Sequence, residues 1–147
     1  MKNFRICALL LAVLMLSACF VGCAKEKTYV NVKVSVVANG ETIFGPVDAK
    51  VETDPETPAT ILYVVSDAFD QNEFEYEADD MSFLSINGLS YKEEDGNTYF
   101  WDFTINGETP DEGRASTIIA NEGDEIVYTY YAESTEDLAA NEDAGEN

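Results

Sequence analysis

Residues 29–44 read YVNVKVSVVANGETIF, and this stretch decides the class of fold. Valine at every second position from 30 to 36 alternates with polar residues, which is the period of a strand with one buried face. Asn39-Gly40 follows, and an Asn-Gly pair tolerates the positive φ angles of a type I′ turn. The pattern therefore predicts a hairpin. Its second strand bends at Gly45-Pro46 and extends from Val47 to Glu52.

One helix is predicted after the hairpin, from Pro58 to Asp70. Thr57 and Pro58 are residue types that favour the N-cap and the first position of a helix. Apolar side chains then recur at spacings of three and four, at Ile61, Leu62, Val65, Ala68 and Phe69. The residues from Glu73 to Glu77 alternate between acidic and aromatic side chains, so they predict a strand that follows the helix.

The second half of the chain is predicted to consist of strands and turns. The predicted strands are residues 83–87, 99–106, 116–120 and 126–131. Turn signals separate them, at Asn87-Gly88, Asp95-Gly96, Asn106-Gly107 and Glu122-Gly123-Asp124. Turns this regular are typical of antiparallel β structure. The prediction is an α+β domain over residues 28–132, with a mostly antiparallel sheet and one helix that covers its apolar face.

The first residues have the layout of a signal peptide. Lys2 and Arg5 precede an apolar run, Ile6 to Leu16, that is short for a membrane span. Residues 16–19 read LSAC, which resembles the bacterial lipobox. The resemblance implies cleavage after residue 18 and a diacylglycerol on Cys19.

A second cysteine is the alternative anchor. Cys23 follows Gly22, a small residue that suits the position before a lipidated cysteine. Two or more acyl chains give stable anchoring, whereas one chain is marginal. We therefore expect a signal peptide at residues 1–18, a tether at 19–27 and a location at the extracytoplasmic face of the cell membrane.

The composition excludes several classes of function. The net charge is −21, and binding to nucleic acid needs a basic surface, so nucleic acid is excluded as a partner. The chain has no histidine, and its cysteines are Cys7, Cys19 and Cys23, so the domain lacks the usual nucleophile pairs and zinc ligands. We predict no enzyme activity and no metal site. Residues 133–147 are acidic with few large apolar side chains, and we predict that they are disordered.

Several motifs in the second half occur in an order that resembles the transcobalamin-like C-terminal domain family. Residues 99–107 read YFWDFTING and residues 123–128 read GDEIVY, with Gly113 and Ala115 between them. With the helix and FLSING at residues 83–88, the resemblance spans about Val32 to Tyr131. It implies a β-grasp-like domain, found in bacterial surface proteins and as the small domain of animal cobalamin carriers. In those carriers it closes over the corrinoid against a separate helical barrel. No stretch of residues 19–147 is predicted to form such a helical domain.

The aromatic strand supplies the candidate site. Trp101 and Phe103 lie on one face of the predicted strand, and burial in the core is the first interpretation of both. The alternative is a ligand site in which an exposed aromatic lies beside Asn106-Gly107, whose backbone groups could bind an amide-rich ligand such as a corrinoid.

Two hypotheses for the function follow. The first is a non-catalytic, membrane-tethered binding module for cobalamin, another corrinoid or another small ligand, working beside a membrane-bound or surface partner protein. The second is a structural or adhesive envelope protein that binds other proteins or glycans.

Overall fold

The structure is a computed structural model in which residues 27–134 are described. The predicted signal peptide, nearly all of the tether, and the tail after Ser134 lie outside these residues. The elements are β1 (Thr28–Ala38), β2 (Glu41–Thr53), α1 (Ile61–Gln71), β3 (Tyr76–Ala78), β4 (Phe83–Ile86), β5 (Leu89–Ser90), β6 (Lys92–Glu94), β7 (Asn97–Ile105) and β8 (Glu125–Ser134). Strand dominates and α1 is the only helix in this region, so the α+β class is confirmed.

Two sheets form the domain. The larger has the order β2-β1-β8-β7-β6, and the smaller has the order β3-β4-β5. All neighbouring strands are antiparallel except β1 and β8, which run parallel from Lys33↔Glu125 to Ala38↔Tyr130. β2 and β7 both run opposite to these two strands, so the chain must return across the sheet between the end of β2 and the start of β7, and the helix and the small sheet lie on that route.

The predicted hairpin is confirmed. Asn39 and Gly40 both have positive φ, at 52° and 80°, as a type I′ turn requires. Val34 and Val36 are fully buried, so the valine stripe of β1 faces the core. The bend in β2 also lies where predicted, because Gly45 has φ 73° and a Cβ there would lie 2.3 Å from the carbonyl oxygen of Val34. Only glycine fits such a close approach.

The helix begins three residues later than predicted, and its N-cap is Thr60, not Thr57. The Thr60 side chain accepts a hydrogen bond from the backbone N–H of Tyr63 at 3.2 Å. The residues just before it are extended because they pair with a distant segment: Ala120 N donates to Ala59 O at 2.8 Å, and Ile61 N donates to Ile118 O at 2.9 Å. This pairing across the fold outweighs the local preference of Thr57-Pro58 for a helix start.

The buried face of α1 contains Ile61, Val64, Val65, Ala68 and Phe69, and it packs against β1 and β2. Phe69 is the centre of an aromatic cluster. Its ring lies 5.1–5.5 Å from the rings of four other residues: Phe44, Phe74, Tyr76 and Phe83. The helix covers only the β1–β2 half of the large sheet.

The small sheet covers the other half, which the sequence did not predict. Phe83 and Ile86 of β4 are buried, and the Phe83 ring meets that of Tyr128 on β8 edge-on at 5.1 Å. Two side chains of the large sheet also bind the backbone of β5: Trp101 Nε1 donates to Leu89 O and Tyr130 Oη donates to Ser90 O, each at 2.8 Å. The hydrophobic core therefore extends between the large sheet and both α1 and the small sheet.

Several predicted strands differ from those in the structure. Residues 73–75 close the helix, and β3 begins only at Tyr76. Residues 116–120 form a turn and a single bridge, Thr60↔Ile119, because this segment pairs with the residues before α1. The last strand, predicted over residues 126–131, runs from Glu125 to Ser134, which pairs with Asn97 of β7.

Candidate functional site

A cleft of about 320 Å³ opens between β7, β8, β4 and the long loop from residue 106 to 124. We call it the aromatic cleft, and its lining residues are Met81, Ser82, Phe83, Trp101, Asp102, Phe103, Arg114, Ala115 and Tyr128. They come from distant parts of the sequence. The parallel pairing of β8 with β1, and the return of the loop over the sheet, bring them together.

The walls of the aromatic cleft are rings on the inward face of the large sheet. Phe103 stacks on Tyr128 with ring centroids 5.3 Å apart, and Trp101 packs against Tyr130 at 4.9 Å. Trp101 is half-buried, and its indole N–H is already bound to Leu89 O. The indole is therefore held in one orientation with part of its surface open, which suits a flat apolar group of a ligand.

Tyr128 is the most buried large side chain of the cleft, with 3% of its surface exposed. Its Oη is the only buried side-chain polar atom within residues 27–134 that has no hydrogen-bond partner. Burial raises the pKa of this hydroxyl far above its ordinary value, because the charged form would lose its hydration, and the negative charge of Asp102 adds to the effect. The hydroxyl is therefore neutral at physiological pH.

Arg114 lies at the rim on a tightly bonded turn. Its backbone N–H donates to Thr117 Oγ1 at 3.0 Å, and its carbonyl accepts from the N–H groups of Thr117 and Ile118 at 2.8 and 3.0 Å. The next residue, Ala115, is buried and accepts from Leu62 N of the helix at 2.8 Å. The turn is thereby fixed to α1, and the exposed Arg114 side chain extends from a rigid backbone.

The acid of the cleft is already engaged. Asp102 accepts from the backbone N–H of Phe103 at 2.7 Å and from Tyr131 Oη at 3.4 Å. These bonds hold its carboxylate to its own strand and its neighbour. Asp102 is therefore a weak candidate for direct ligand binding or for acid–base chemistry.

The structure separates the four predicted site residues. Trp101 and Phe103 line the aromatic cleft, whereas Asn106 and Gly107 lie elsewhere, at the end of β7. The Asn106 side chain is used in the fold: its Nδ2 donates to Asp124 Oδ1 at 2.8 Å and its Oδ1 accepts from Glu125 N at 2.9 Å. This residue ties the two ends of the long loop together.

Phe83, Arg114 and Tyr128 were not among the predicted site residues. Phe83 and Tyr128 give no signal of their own, because buried aromatics have the same pattern in any core strand. Arg114 did give one, since it is the only arginine after residue 5 in a chain of net charge −21.

Two further observations concern residues 27–134. No group of three or more His, Cys, Asp or Glu side chains in that range could hold a metal ion. Its helix is also too short to cross a membrane. Cys19 and Cys23, the predicted anchors, lie outside the range.

The fold is similar to part of a solved protein. Haptocorrin in complex with Cbi superposes with a TM-score of 0.54 at 22% sequence identity, over 76% of this chain. The matched region is only 27% of the haptocorrin chain, so the similarity concerns one part of that protein. A suggested metal binding protein from Ruminococcus gnavus ATCC 29149 has a TM-score of 0.44 at 14% identity, covering 71% of this chain and 98% of its own, and that similarity is too low to carry an argument.

At the level of sequence, no curated protein matches significantly. Residues 59–132, from just before the helix to the last strand, match the sequence model of a family described as a domain of unknown function, DUF4430. Because the match covers half of the chain, this protein belongs to the DUF4430 family.

Proposed function

We propose that this protein is a non-catalytic module that binds a small ligand in the aromatic cleft. Lipid on Cys19 holds the module at the extracytoplasmic face of the cell membrane. The observation that carries the proposal is the cleft itself, with the rings of Trp101 and Phe103 held by their neighbours beside one cation, Arg114. Clefts with apolar walls and few polar groups are typical of ligand sites.

The size of the cleft limits the ligand. Ligand pockets enclose about 300–1,000 Å³, and about 320 Å³ is near the lower end of that range. A small molecule would fill the cleft, whereas a corrinoid could place only one edge or one amide side chain in it. A corrinoid would therefore need a second protein surface on its other side.

The corrinoid version rests on the fold. A hairpin, one helix and a last strand parallel to β1 are the arrangement expected of a β-grasp-like, transcobalamin-like domain, and the haptocorrin similarity supports that assignment. The match covers only 27% of the haptocorrin chain, and the rest of that chain is not matched. We propose that a membrane-bound or surface partner supplies the other half of such a site, and that the lipid on Cys19 raises the effective concentration at which the two meet.

Calorimetric titration of the mature chain with cobinamide and cobalamin tests the corrinoid version. Trp101 is the only tryptophan, so its fluorescence reports on the cleft directly. Phe103→Ala should abolish binding, whereas Phe100→Ala, on the opposite face of the same strand, should leave it intact. No heat and no change in fluorescence at millimolar corrinoid would contradict this version.

The anchor is tested by labelling the cells that express the protein with radioactive palmitate. Cys19→Ala should lose the label, whereas Cys23→Ala should keep it. The reverse result would move the anchor to Cys23. Label on the double variant would contradict a lipid anchor at either cysteine.

A surface partner protein is the second candidate, in an adhesive or structural role. Met81, Leu84 and Tyr91 lie on and beside the small sheet with 47–61% of their surface exposed. Exposed apolar side chains grouped in this way are typical of protein contacts. A pull-down from surface extracts should then return one stoichiometric partner, and Leu84→Asp should lose it while Phe103→Ala should not.

A further inference from the structure

We propose that the ligand of the aromatic cleft carries an anionic oxygen group, a carboxylate or a phosphate, and that Arg114 binds this group while the aromatic walls hold a flat apolar body. This inference rests on the proposed function, because it specifies the chemistry of a ligand that the cleft is proposed to bind.

The Arg114 guanidinium has N–H donors that no group of the domain uses. The chain has a net charge of −21, yet no carboxylate within residues 27–134 forms an ion pair with Arg114. Among the described residues, the Arg114 side chain donates one hydrogen bond, from Nη1 to the thioether sulfur of Met81 at 2.7 Å, and a thioether is a weak acceptor. Most of its five N–H donors are therefore available at the rim of the cleft.

Other cations of the domain are engaged differently. Lys27 pairs with Glu52, and Lys92 pairs with Glu94. Lys50 Nζ lies 4.4 Å from the centre of the Tyr29 ring. Lys33 and Lys50 also have no carboxylate partner within residues 27–134, so the distinctive feature of Arg114 is its place at the rim of the aromatic cleft.

Two acids near the cleft, Asp79 and Asp102, are engaged with other groups. Asp79 Oδ1 accepts from the backbone N–H groups of Met81 and Ser82, each at 2.8 Å. These two bonds lower the pKa of Asp79, and the positive charge of Arg114 contributes a smaller part of the shift. Asp102 is bound to Phe103 N and Tyr131 Oη. Both carboxylates thus serve the local backbone or a neighbouring strand, and the guanidinium remains the unused charged group.

The backbone at Arg114 is fixed before any ligand arrives. Gly113 precedes it with φ 102°, and a Cβ at Gly113 would lie 2.9 Å from Ile118 Cγ1, so the turn closes tightly only with glycine. The planar guanidinium at the end of this side chain has the geometry for bidentate bonds to a carboxylate or phosphate.

The buried hydroxyl of Tyr128 supports the same class of ligand. A buried hydroxyl without a partner costs free energy, and such groups in native proteins need an explanation. Tyr128 lines the cleft. After a small adjustment of the cleft around the ligand, its neutral hydroxyl can donate a hydrogen bond to an anionic oxygen.

The test uses three probes with the same aromatic body. Naphthalene-2-acetate carries a carboxylate, 2-naphthyl phosphate carries a phosphate, and naphthalene-2-acetamide is the neutral counterpart. Each is titrated into the ¹⁵N-labelled mature chain, and the indole N–H signal of Trp101, the only tryptophan, is followed by NMR. We expect at least one anion to bind about 10-fold more tightly than the amide, as one charge-assisted bond provides. The stronger anion identifies which of the two groups the cleft prefers.

Variants separate the charge from the cleft. Arg114→Gln should reduce anion affinity to that of the amide, whereas Lys33→Gln, which removes a cation from the other face of β1, should not. Equal affinity for anions and amide in the unchanged protein would overturn the inference and leave the binding proposal standing. If no probe shifts the Trp101 signal, both the inference of an anionic ligand and the proposal of a binding cleft are wrong for small aromatic ligands.

Discussion

Tyr128 and Tyr130 lie two residues apart on the same inward face of β8, and their hydroxyl groups have opposite roles. Tyr130 Oη donates to Ser90 O at 2.8 Å and ties β8 to the small sheet. Tyr128 Oη is buried without a partner. A net hydrogen bond stabilises a protein by about 0.5–1.5 kcal/mol, whereas a buried polar group without a partner costs about 1–3 kcal/mol.

Replacing each tyrosine by phenylalanine should therefore change stability in opposite directions. Tyr128→Phe should raise the free energy of unfolding by about 1 kcal/mol, because it removes a buried unsatisfied group. Tyr130→Phe should lower it by about 1 kcal/mol, because it leaves Ser90 O without its donor. Urea denaturation of both variants measures the difference. A loss of stability in both would mean that Tyr128 Oη has a favourable interaction in the folded protein.

At the scale of the element, α1 ends in a Schellman motif built on a residue other than glycine. Phe74 N donates to Phe69 O at 2.9 Å and Glu73 N donates to Asp70 O at 3.3 Å. The rings of Phe69 and Phe74 lie 5.2 Å apart and complete the apolar contact of the motif. Glu73 occupies the left-handed position, with φ 54°, where most L-residues are strained.

Glu73→Gly should therefore stabilise the domain. Relief of the left-handed conformation gains about 1–2 kcal/mol, and the greater entropy of glycine in the unfolded chain offsets about 0.5–1 kcal/mol of that. We expect a net gain of about 0.5–1 kcal/mol in urea denaturation. Glu75→Gly removes the same charge without a left-handed position, so it is the matched control and should be neutral or destabilising. An equal gain in both variants would assign the effect to charge.

The turn before β8 is held to β1 by one carboxylate. Glu122 accepts from the backbone N–H and the side-chain amide of Asn31, each at 2.8 Å, and these bonds hold its pKa below the ordinary value of 4.5. Gly123 N adds a bond to Asn31 O at 2.8 Å. This contact fixes the start of β8 beside β1, where the parallel pairing begins.

The lowered pKa of Glu122 predicts how stability depends on acid. The folded protein favours the charged carboxylate, so this contribution is complete above about pH 4.5 and is lost as the pH falls through the lower folded pKa. Glu122→Gln should lower the melting temperature at pH 7, and the difference from the unchanged protein should shrink toward pH 3. Thermal melts across this range, with Glu125→Gln as the control for charge alone, measure it. A constant difference at every pH would contradict the carboxylate contact.

At the scale of the whole molecule, acidic residues far outnumber basic ones, 29 to 8. The net charge of −21 repels itself in the compact state, and within residues 27–134 only two ion pairs, Lys27–Glu52 and Lys92–Glu94, offset it locally. Both pairs are exposed, and exposed pairs contribute little. The folded state therefore depends on its core of valines and aromatic rings to overcome the repulsion.

Salt should stabilise this protein by screening that repulsion. Raising NaCl from about 10 mM to about 0.5 M shortens the screening length from about 30 Å to a few ångströms. A gain of about 1 kcal/mol would raise the melting temperature by about 4–8 °C. KCl should act equally, because screening does not depend on the identity of the cation. A melting temperature that stays constant or falls with both salts would show that repulsion is not a significant cost.

The sequence by itself determined the features that depend on neighbouring residues. Asn39-Gly40, Asn87-Gly88, Asp95-Gly96 and Asn106-Gly107 all have positive φ at both positions, as their residue types predict. The alternation in β1 predicted its buried valine face, and the alternation in β7 predicted which of its residues share a face, because a side-chain period of two is a property of the strand alone. Trp101 and Phe103 were therefore assigned to the same face before any tertiary contact was known.

Only the tertiary structure decided where distant segments meet. Residues 118–120 pair with the residues before α1, which moved the helix start from Thr57-Pro58 to Thr60 and replaced the predicted strand at 116–120 by a turn. That same turn carries Arg114 to the cleft beside Trp101. No local pattern encodes such a meeting, since it depends on the parallel pairing of β1 with β8 and on the packing of the loop over the sheet. The candidate site is thus half predictable, its aromatic wall from the period of one strand and its cation only from the fold.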